Sequence, residues 1–392
     1  MSHLFSKKAL RDALVGGALL CCTLALCCWP REISAAVREG LTLCYNVIIP
    51  SLFPFFILAS LTISLGLAGH LGRLMAPIMA PLFRLSGPCA APLALGFIGG
   101  YPVGARAALT LYESGQCSKT ECERLLAFCN NSGPAFILGV VGAGVFADSR
   151  VGLLLCLIHA AASFCVGLCF RFYQSGEGQL RERTHPPIAA ERFTTAFTGA
   201  VKGSVTSTLN ICAFVVTFTV LLRMAFLSGL LPALAGLLGQ AFGPLGFTED
   251  WARRLLTGLL ELSSGVWALA GEGSFRGRVA MCAFLLGWAG VSVHCQVLSF
   301  LGESGLSTRT YVLGKLLHGL ISAVLTALLF RVFPLAEPVS AYLTEQVEGI
   351  AGVDFSFALT VSAVCAWVVF LLFFLLAALG VKTGGKGRQG VV

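Results

Sequence analysis

Three short polar clusters interrupt an otherwise apolar chain, and they define what chemistry it can do. Asn130-Asn131-Ser132-Gly133-Pro134 sets two amides and a hydroxyl beside a proline. Those side chains both donate and accept hydrogen bonds, while Pro134 removes a backbone donor and turns the residue before it out of helix. The pattern suits a polar-solute contact or a hairpin tip, and equally an ordinary helix N-cap at the membrane interface. Glu261 stands beside Ser263, Ser264 and Gly265. An acid at membrane depth is costly and marks an ion, proton or substrate contact; the alternative is an interfacial carboxylate paired with Arg253 or Arg254. In Ser292-Val293-His294-Cys295-Gln296, Ser292 and Gln296 share a helix face while His294 points elsewhere. His294 and Gln296 can coordinate a solute or relay a proton, or simply hydrogen-bond between helices. His159 and His318 fit helix packing better than ligation. Lys315, one turn from His318, is long enough to snorkel. Arg106, just past Gly100-Tyr101-Pro102-Val103-Gly104, fits a cytoplasmic rim charge better than an anion contact.

The elements that must hold these groups are membrane helices. Of 392 residues, 56% are apolar and 12% charged, with mean hydropathy +0.85, against about 25% charged in soluble domains. That composition excludes a soluble enzyme, a nucleic-acid module and a disordered scaffold. The net charge of +8 comes from basic residues confined to short segments between apolar runs, where they orient a chain against the cytoplasmic leaflet. Most of the 16 cysteines lie inside apolar runs and no CxxC pair occurs, so they count as small hydrophobes rather than a metal or disulfide framework. P-loop, HExxH, GxSxG and haem-attachment motifs are absent; no enzyme activity and no cofactor are expected. The run 13–29 follows Lys7, Lys8 and Arg11 as a signal peptide's would, but lacks an A-x-A-like cleavage site, and is read as an uncleaved first helix.

A spanning helix needs about 20 mostly apolar residues. Eight segments qualify or come close: 13–29, 44–68, 125–147, 151–170, 205–231, 279–301, 311–330 and 355–380. Segments 87–104 and 255–273 are apolar but broken by glycine, proline or serine. Such breaks are tolerated at depth only where protein or a water-filled cavity satisfies the freed backbone, so both are expected to be re-entrant hairpins. Residues 1–12, 171–204 and the tail are rich in Lys and Arg, whereas 331–354 is acidic. Eight crossings with two non-crossing hairpins satisfy the parity on both sides of 171–204 and place both termini in the cytoplasm.

The second half echoes the first. Arg150, Leu154, Leu157, His159 and Ser163 match Arg309, Leu313, Leu316, His318 and Ser322 at a constant offset, and Ala127-Phe128 pairs with Ala283-Phe284. The expected fold is an all-α polytopic membrane protein with an inverted-topology repeat, a pattern that points to a transporter-like site near the midplane. The parts are an N-terminal transmembrane helix (1–34), a first repeat (35–172), a basic cytoplasmic linker (173–204), a second repeat (205–333), and a C-terminal helix with a basic tail (334–392).

These residues resemble a known family. Gly99-Gly100-Tyr101-Pro102-Val103-Gly104-Ala105, the stretch from Ala127 to Gly139, Leu260 to Gly265 and Gly290 to Ser299 look like the sporulation integral membrane protein family YlbJ. The resemblance runs over roughly residues 35–335. It implies a "nucleoside recognition" or Gate domain, found also in concentrative nucleoside transporters and in the membrane part of FeoB, and a bacterial membrane protein needed for spore formation. The Asn-Glu-Phe-Val-Ala-Tyr type signature of nucleoside transporters is not present, and the resemblance implies no particular substrate. One expectation is recognition or transport of a small polar solute, with a coupling ion, at Asn130, Asn131, Ser132, Glu261, Ser263, Ser264, His294 and Gln296, framed by hairpin residues Gly100, Pro102 and Gly104. On that reading Asn131→Ala and Glu261→Gln both abolish uptake. The other expectation is a non-transporting assembly factor that docks sporulation membrane proteins in a forespore or mother-cell membrane. A lipid bilayer is the common partner, a homo-oligomer is compatible, and nucleic acid is not a partner.

Overall fold

The computed structural model describes residues 7–174 and 192–332, which are helical with no strand among them. In order the helices are α1 (Lys7–Cys28), α2 (Pro30–Leu43), α3 (Ile49–Ser64), α4 (Leu67–Phe83), α5 (Ala90–Gly99), α6 (Val103–Glu113), α7 (Lys119–Leu126) and α8 (Ser149–Phe170). After the linker come α9 (Phe193–Leu227), α10 (Leu230–Phe242), α11 (Glu249–Leu260), α12 (Leu262–Trp267), α13 (Phe275–Trp288), α14 (Gly290–Leu301) and α15 (Thr308–Val332). Between α7 and α8, Ala135–Val145 forms a π-helical segment.

Among the described residues, five helical segments are long and apolar enough to cross a membrane: Leu10–Cys28, Ser149–Phe170, Phe193–Leu227, Phe275–Leu301 and Thr308–Val332. A sixth is reached if Leu74–Phe83 and Gly87–Gly99, bent by 88°, count as one broken span. These five cover the expected segments 13–29, 151–170, 205–231, 279–301 and 311–330. Segment 355–380 lies outside the described residues. The other two expected spans differ. Segment 44–68 is a π-helical turn followed by α3, which carries Pro50 and Pro54 and stops before Gly66, whose φ of 73° ends the helix. Segment 125–147 is irregular from Ala127 to Gly133, because Gly133 and Pro134 cannot continue α7. Residues 193–204, expected in the linker, are the first turns of α9.

Both expected hairpin segments are helices interrupted at one point. The first turns at Gly100–Pro102 between α5 and α6; the second turns at Glu261 between α11 and α12. Each half passes through an interrupted pair and a second interruption to a long helix, α8 in the first and α15 in the second. Helix α15 shows how the sequence sorts its faces. Leu313, Leu316, Leu320, Val324 and Leu328 are exposed, as lipid requires, while Tyr311, Lys315, His318, Ser322 and Thr326 are fully buried. The hydrophobic face turns outward and the polar stripe inward.

Two apolar cores flank that stripe. One gathers Met79, Phe83, Leu93, Leu109, Leu125, Phe128 and Tyr311; the other gathers Ile137, Val141, Val151, Leu262, Leu285 and Phe330. Tyr101 packs on the second core, so a contact between Tyr101 and α15 falls on the seam between them.

Candidate functional site

The seam is built around the irregular stretch 127–134. Helix α7, which delivers it, starts with a reciprocal cap: Glu121 N–H donates to Ser118 Oγ at 3.3 Å and Ser118 N–H donates to Glu121 Oε2 at 2.8 Å. On the other side Gly96 and Gly104 admit the Cys129 carbonyl so closely that a Cβ on either would stand 1.8 or 2.0 Å from its oxygen. Gly100, at φ +76°, packs against Gly133, with a Cβ there only 3.0 Å from Gly133 N. The GYPVG glycines therefore seat one interruption of the first half against the other.

Asn130 and Asn131 are completely buried. The Lys315 ammonium, also with no exposed surface, donates to the Asn130 backbone carbonyl at 2.9 Å and to Tyr101 Oη at 3.4 Å, and stands 4.8 Å from the Tyr101 ring centroid. Tyr101 Oη in turn donates to the Leu286 carbonyl. Asn130 Nδ2 donates to Tyr311 Oη at 3.4 Å, and Tyr311 Oη lies 3.2 Å from His294 Nδ1. His294 also meets Trp288 edge-on, centroids 4.3 Å apart.

What the cluster leaves open matters more than what it satisfies. Asn130 Oδ1, Asn131 Oδ1 and His294 Nε2 are buried and find no hydrogen-bond partner among the described residues. Lys315 meets only neutral acceptors, and no ion pair reaches it among the described residues. A buried cation without a counter-charge is costly, and buried unpaired amide oxygens add to that cost. Two amide oxygens and one ring nitrogen of this cluster thus lack partners among the described residues, and its ammonium lacks a counter-charge.

The remaining expected residues fall in three other places. Ser132 N–H donates to His159 Nε2 at 3.0 Å. Glu261 is the N-cap of α12, its two oxygens accepting from Ser263 N–H at 3.0 Å and Ser264 N–H at 2.7 Å; neither arginine expected as an alternative partner holds it. Arg253 and Arg254 instead pair with Asp250. Pro102 and Gln296 line a cavity of about 260 Å³ with Arg106, Thr206, Ser207 and Asn210, and Arg106 lies over the Phe300 ring. Ser264 lines a second cavity of about 490 Å³ with Asp250, Arg253, Arg254 and Thr257. Both cavities border α9, the first at Thr206 and the second at Leu222; sixteen residues apart, these are about 24 Å from each other along the helix.

Lys315 does not snorkel, because its ammonium is held inside by Asn130 and Tyr101. Tyr101, Tyr311 and Lys315 complete the site although sequence reasoning gave them no role in it. The signal was present: Tyr311, Lys315, His318, Ser322 and Thr326 recur at three- and four-residue steps, one polar face of an otherwise apolar helix.

Interrupted helices closed around a buried polar seam define a polytopic helical membrane protein with a Gate domain: residues 46–166 match the Gate family, described as nucleoside recognition. The chain is similar to the sporulation integral membrane protein YlbJ of Bacillus subtilis (strain 168), 31% identical over 336 residues that cover 81% of this chain and 82% of that protein. The chain belongs to the YlbJ family.

Proposed function

We propose that this chain acts in sporulation by recognising a small polar solute at the Asn130–Lys315 seam and moving it across the membrane. The observation that carries the reading is Lys315: a wholly buried ammonium, hydrogen-bonded to neutral oxygens only, beside two amide oxygens with spare capacity. A solute bearing a carboxylate or carbonyl group together with an N–H or O–H donor fits both deficits. The two cavities would be its approaches, Arg106 and Gln296 at one and Arg254 and Ser264 at the other, with the seam closed between them. The repeated element order would make the halves inverted repeats whose interrupted segments enter from opposite faces, with cytoplasmic termini, so that tilting one half against the other exposes the seam alternately.

The test is a thermal-shift screen of the purified full-length protein against nucleosides, bases, amino acids and small carboxylates. A native-state binder adds about 2.7 kcal/mol of apparent stability at a hundredfold excess over its Kd. Lys315→Met should weaken a saturable hit at least tenfold while leaving the ligand-free melt within about 1 kcal/mol, since removing a buried charge offsets the lost hydrogen bonds. A hit that survives Lys315→Met undiminished overturns the site. A flat panel together with normal spore formation by the Lys315→Met variant overturns the function.

A further inference from the structure

The crossing of α8 and α15 holds a pair of groups that solute recognition does not use. His159 is the eleventh residue of α8 and His318 the eleventh of α15, so each stands near the middle of a span. Both are buried, and their ring centroids are 4.3 Å apart. Their protonation can be deduced from the bonds they make. Ser132 N–H donates to His159 Nε2 at 3.0 Å, so that nitrogen is bare and the neutral ring carries its proton on Nδ1. His318 Nε2 lies 3.0 Å from the His159 carbonyl oxygen, which only accepts, so Nε2 carries the proton and Nδ1 keeps the lone pair. Neither Nδ1 has a partner among the described residues.

An arriving proton therefore meets two unequal destinations. On His159 it must land on Nε2, turning the acceptor of Ser132 N–H into a second donor and breaking the bond that fixes Ser132 in the irregular stretch. On His318 it lands on the free Nδ1 lone pair and disturbs no bond. We infer that His318 Nδ1 is a proton-binding site, and that protonation there is coupled to occupancy of the solute seam through Lys315, one turn away on the same helix. The coupling half of this inference rests on the solute reading above.

The surroundings support the assignment. Lys315 lies one turn before His318 on the same fully buried face of α15. On α7, Glu123 is held by Ser307 N–H and Tyr173, and Arg124 by the carbonyls of Tyr173, Arg84 and Gln174. On α13, Arg278 lies against Phe146 and Phe275, and on α14 His294 meets Tyr311. An anionic group bound at Lys315 cancels the charge that opposes a proton on His318. By reciprocity the proton then strengthens the hold on the anion, and the two travel together.

The chain has six histidines, few enough for ring-nitrogen NMR on histidine-labelled full-length protein in phosphatidylethanolamine–phosphatidylglycerol vesicles, with signals assigned by single His→Gln variants. On progressive acidification, His159 should keep the Nδ1–H tautomer while His318 passes from the Nε2–H tautomer to the doubly protonated ring. In Lys315→Gln, which retains a hydrogen-bonding side chain, the second proton should appear on His318 at about tenfold lower proton concentration. A His318 ring that stays singly protonated in both proteins, or the reverse tautomers, overturns the proton site. No solute is needed for this titration, so its failure leaves solute recognition standing. A normal titration that Lys315→Gln does not move overturns the coupling.

Discussion

In both halves the two interruptions pack on each other, but they are held by opposite means. In the first half, Gly100 rests on Gly133 and the contact is made by backbone alone. In the second, Gly290 rests near Leu262 N, and the turn beside it is fixed by the Glu261 carboxylate with both oxygens on backbone N–H groups. The Glu261 carboxylate is consumed by its own helix. The glycine-seated interruption leaves the Asn130 and Asn131 amide oxygens without partners among the described residues, and its Asn130 backbone carbonyl accepts from the ammonium of α15. Ionisable character at depth is therefore a poor guide to the site here; unfilled hydrogen-bonding capacity is a better one.

The largest test of this contrast replaces one glycine in each half. Gly96→Ala forces a Cβ to within 1.8 Å of the Cys129 carbonyl oxygen, whereas Gly258→Ala meets the tip of the Leu285 side chain. Backbone cannot yield as a leucine can, so the first should lose about 3 kcal/mol and the second about 1 kcal/mol, read from denaturant unfolding in mild detergent. Equal losses would mean the halves tolerate strain alike.

Next come two positions, Asn131 and Glu261, that sequence alone expects to serve the same site. Asn131→Ala should weaken solute binding about tenfold, the usual loss for one hydrogen bond to a charged or well-placed group, with little change in the melt, because Ser163 Oγ still donates to the Phe128 carbonyl that Asn131 shares. Glu261→Ala should do the reverse, losing about 1 kcal/mol of stability as a removed N-cap with affinity unchanged. Isothermal titration alongside melting separates the two. Loss of affinity in Glu261→Ala at full stability would return that carboxylate to the site.

The smallest effect concerns how the long helices begin. Helix α8 is capped by its own Asp148, which accepts from Arg150 N–H at 2.8 Å and pairs with the Arg150 guanidinium, whereas Ser307 N–H at the start of α15 donates to Glu123 from the first half. The hydrogen bond from Arg150 holds the Asp148 carboxyl below the usual carboxylate range. Its contribution is thus complete above the unfolded value of about 3.9 and is lost as pH falls through the folded value. Arg150 is largely exposed, so Asp148→Asn should cost no more than about 1 kcal/mol at neutral pH and nothing once the wild-type carboxyl is protonated. A pH-independent difference in melting would assign the effect to helix capping alone.

Much of this was legible before any coordinates. Proline and glycine at 100–104 and 133–134 announce interruptions because they forbid continuous helix, and the matched histidines announce a shared crossing of the two halves. The Lys315 contacts were not legible in the same way. Asn130 and Lys315 are 185 residues apart, and only the packing of α7 against α15 decides that an ammonium points inward rather than along the helix to the surface. Segments 44–68 and 125–147 do not form single continuous helices, because average hydropathy is blind to where the backbone can hydrogen-bond, and Pro54, Gly66, Gly133 and Pro134 settle that locally.

Helix α9 is 35 residues long, about 52 Å at 1.5 Å per residue, against a hydrocarbon core of about 30 Å. A helix with that excess must tilt or project from the bilayer. It also walls both cavities, so a change in its tilt moves their mouths together. Membrane thickness thereby becomes a mechanical input to the protein: a thicker bilayer stands α9 more upright and a thinner one leans it over, before any solute or proton has arrived.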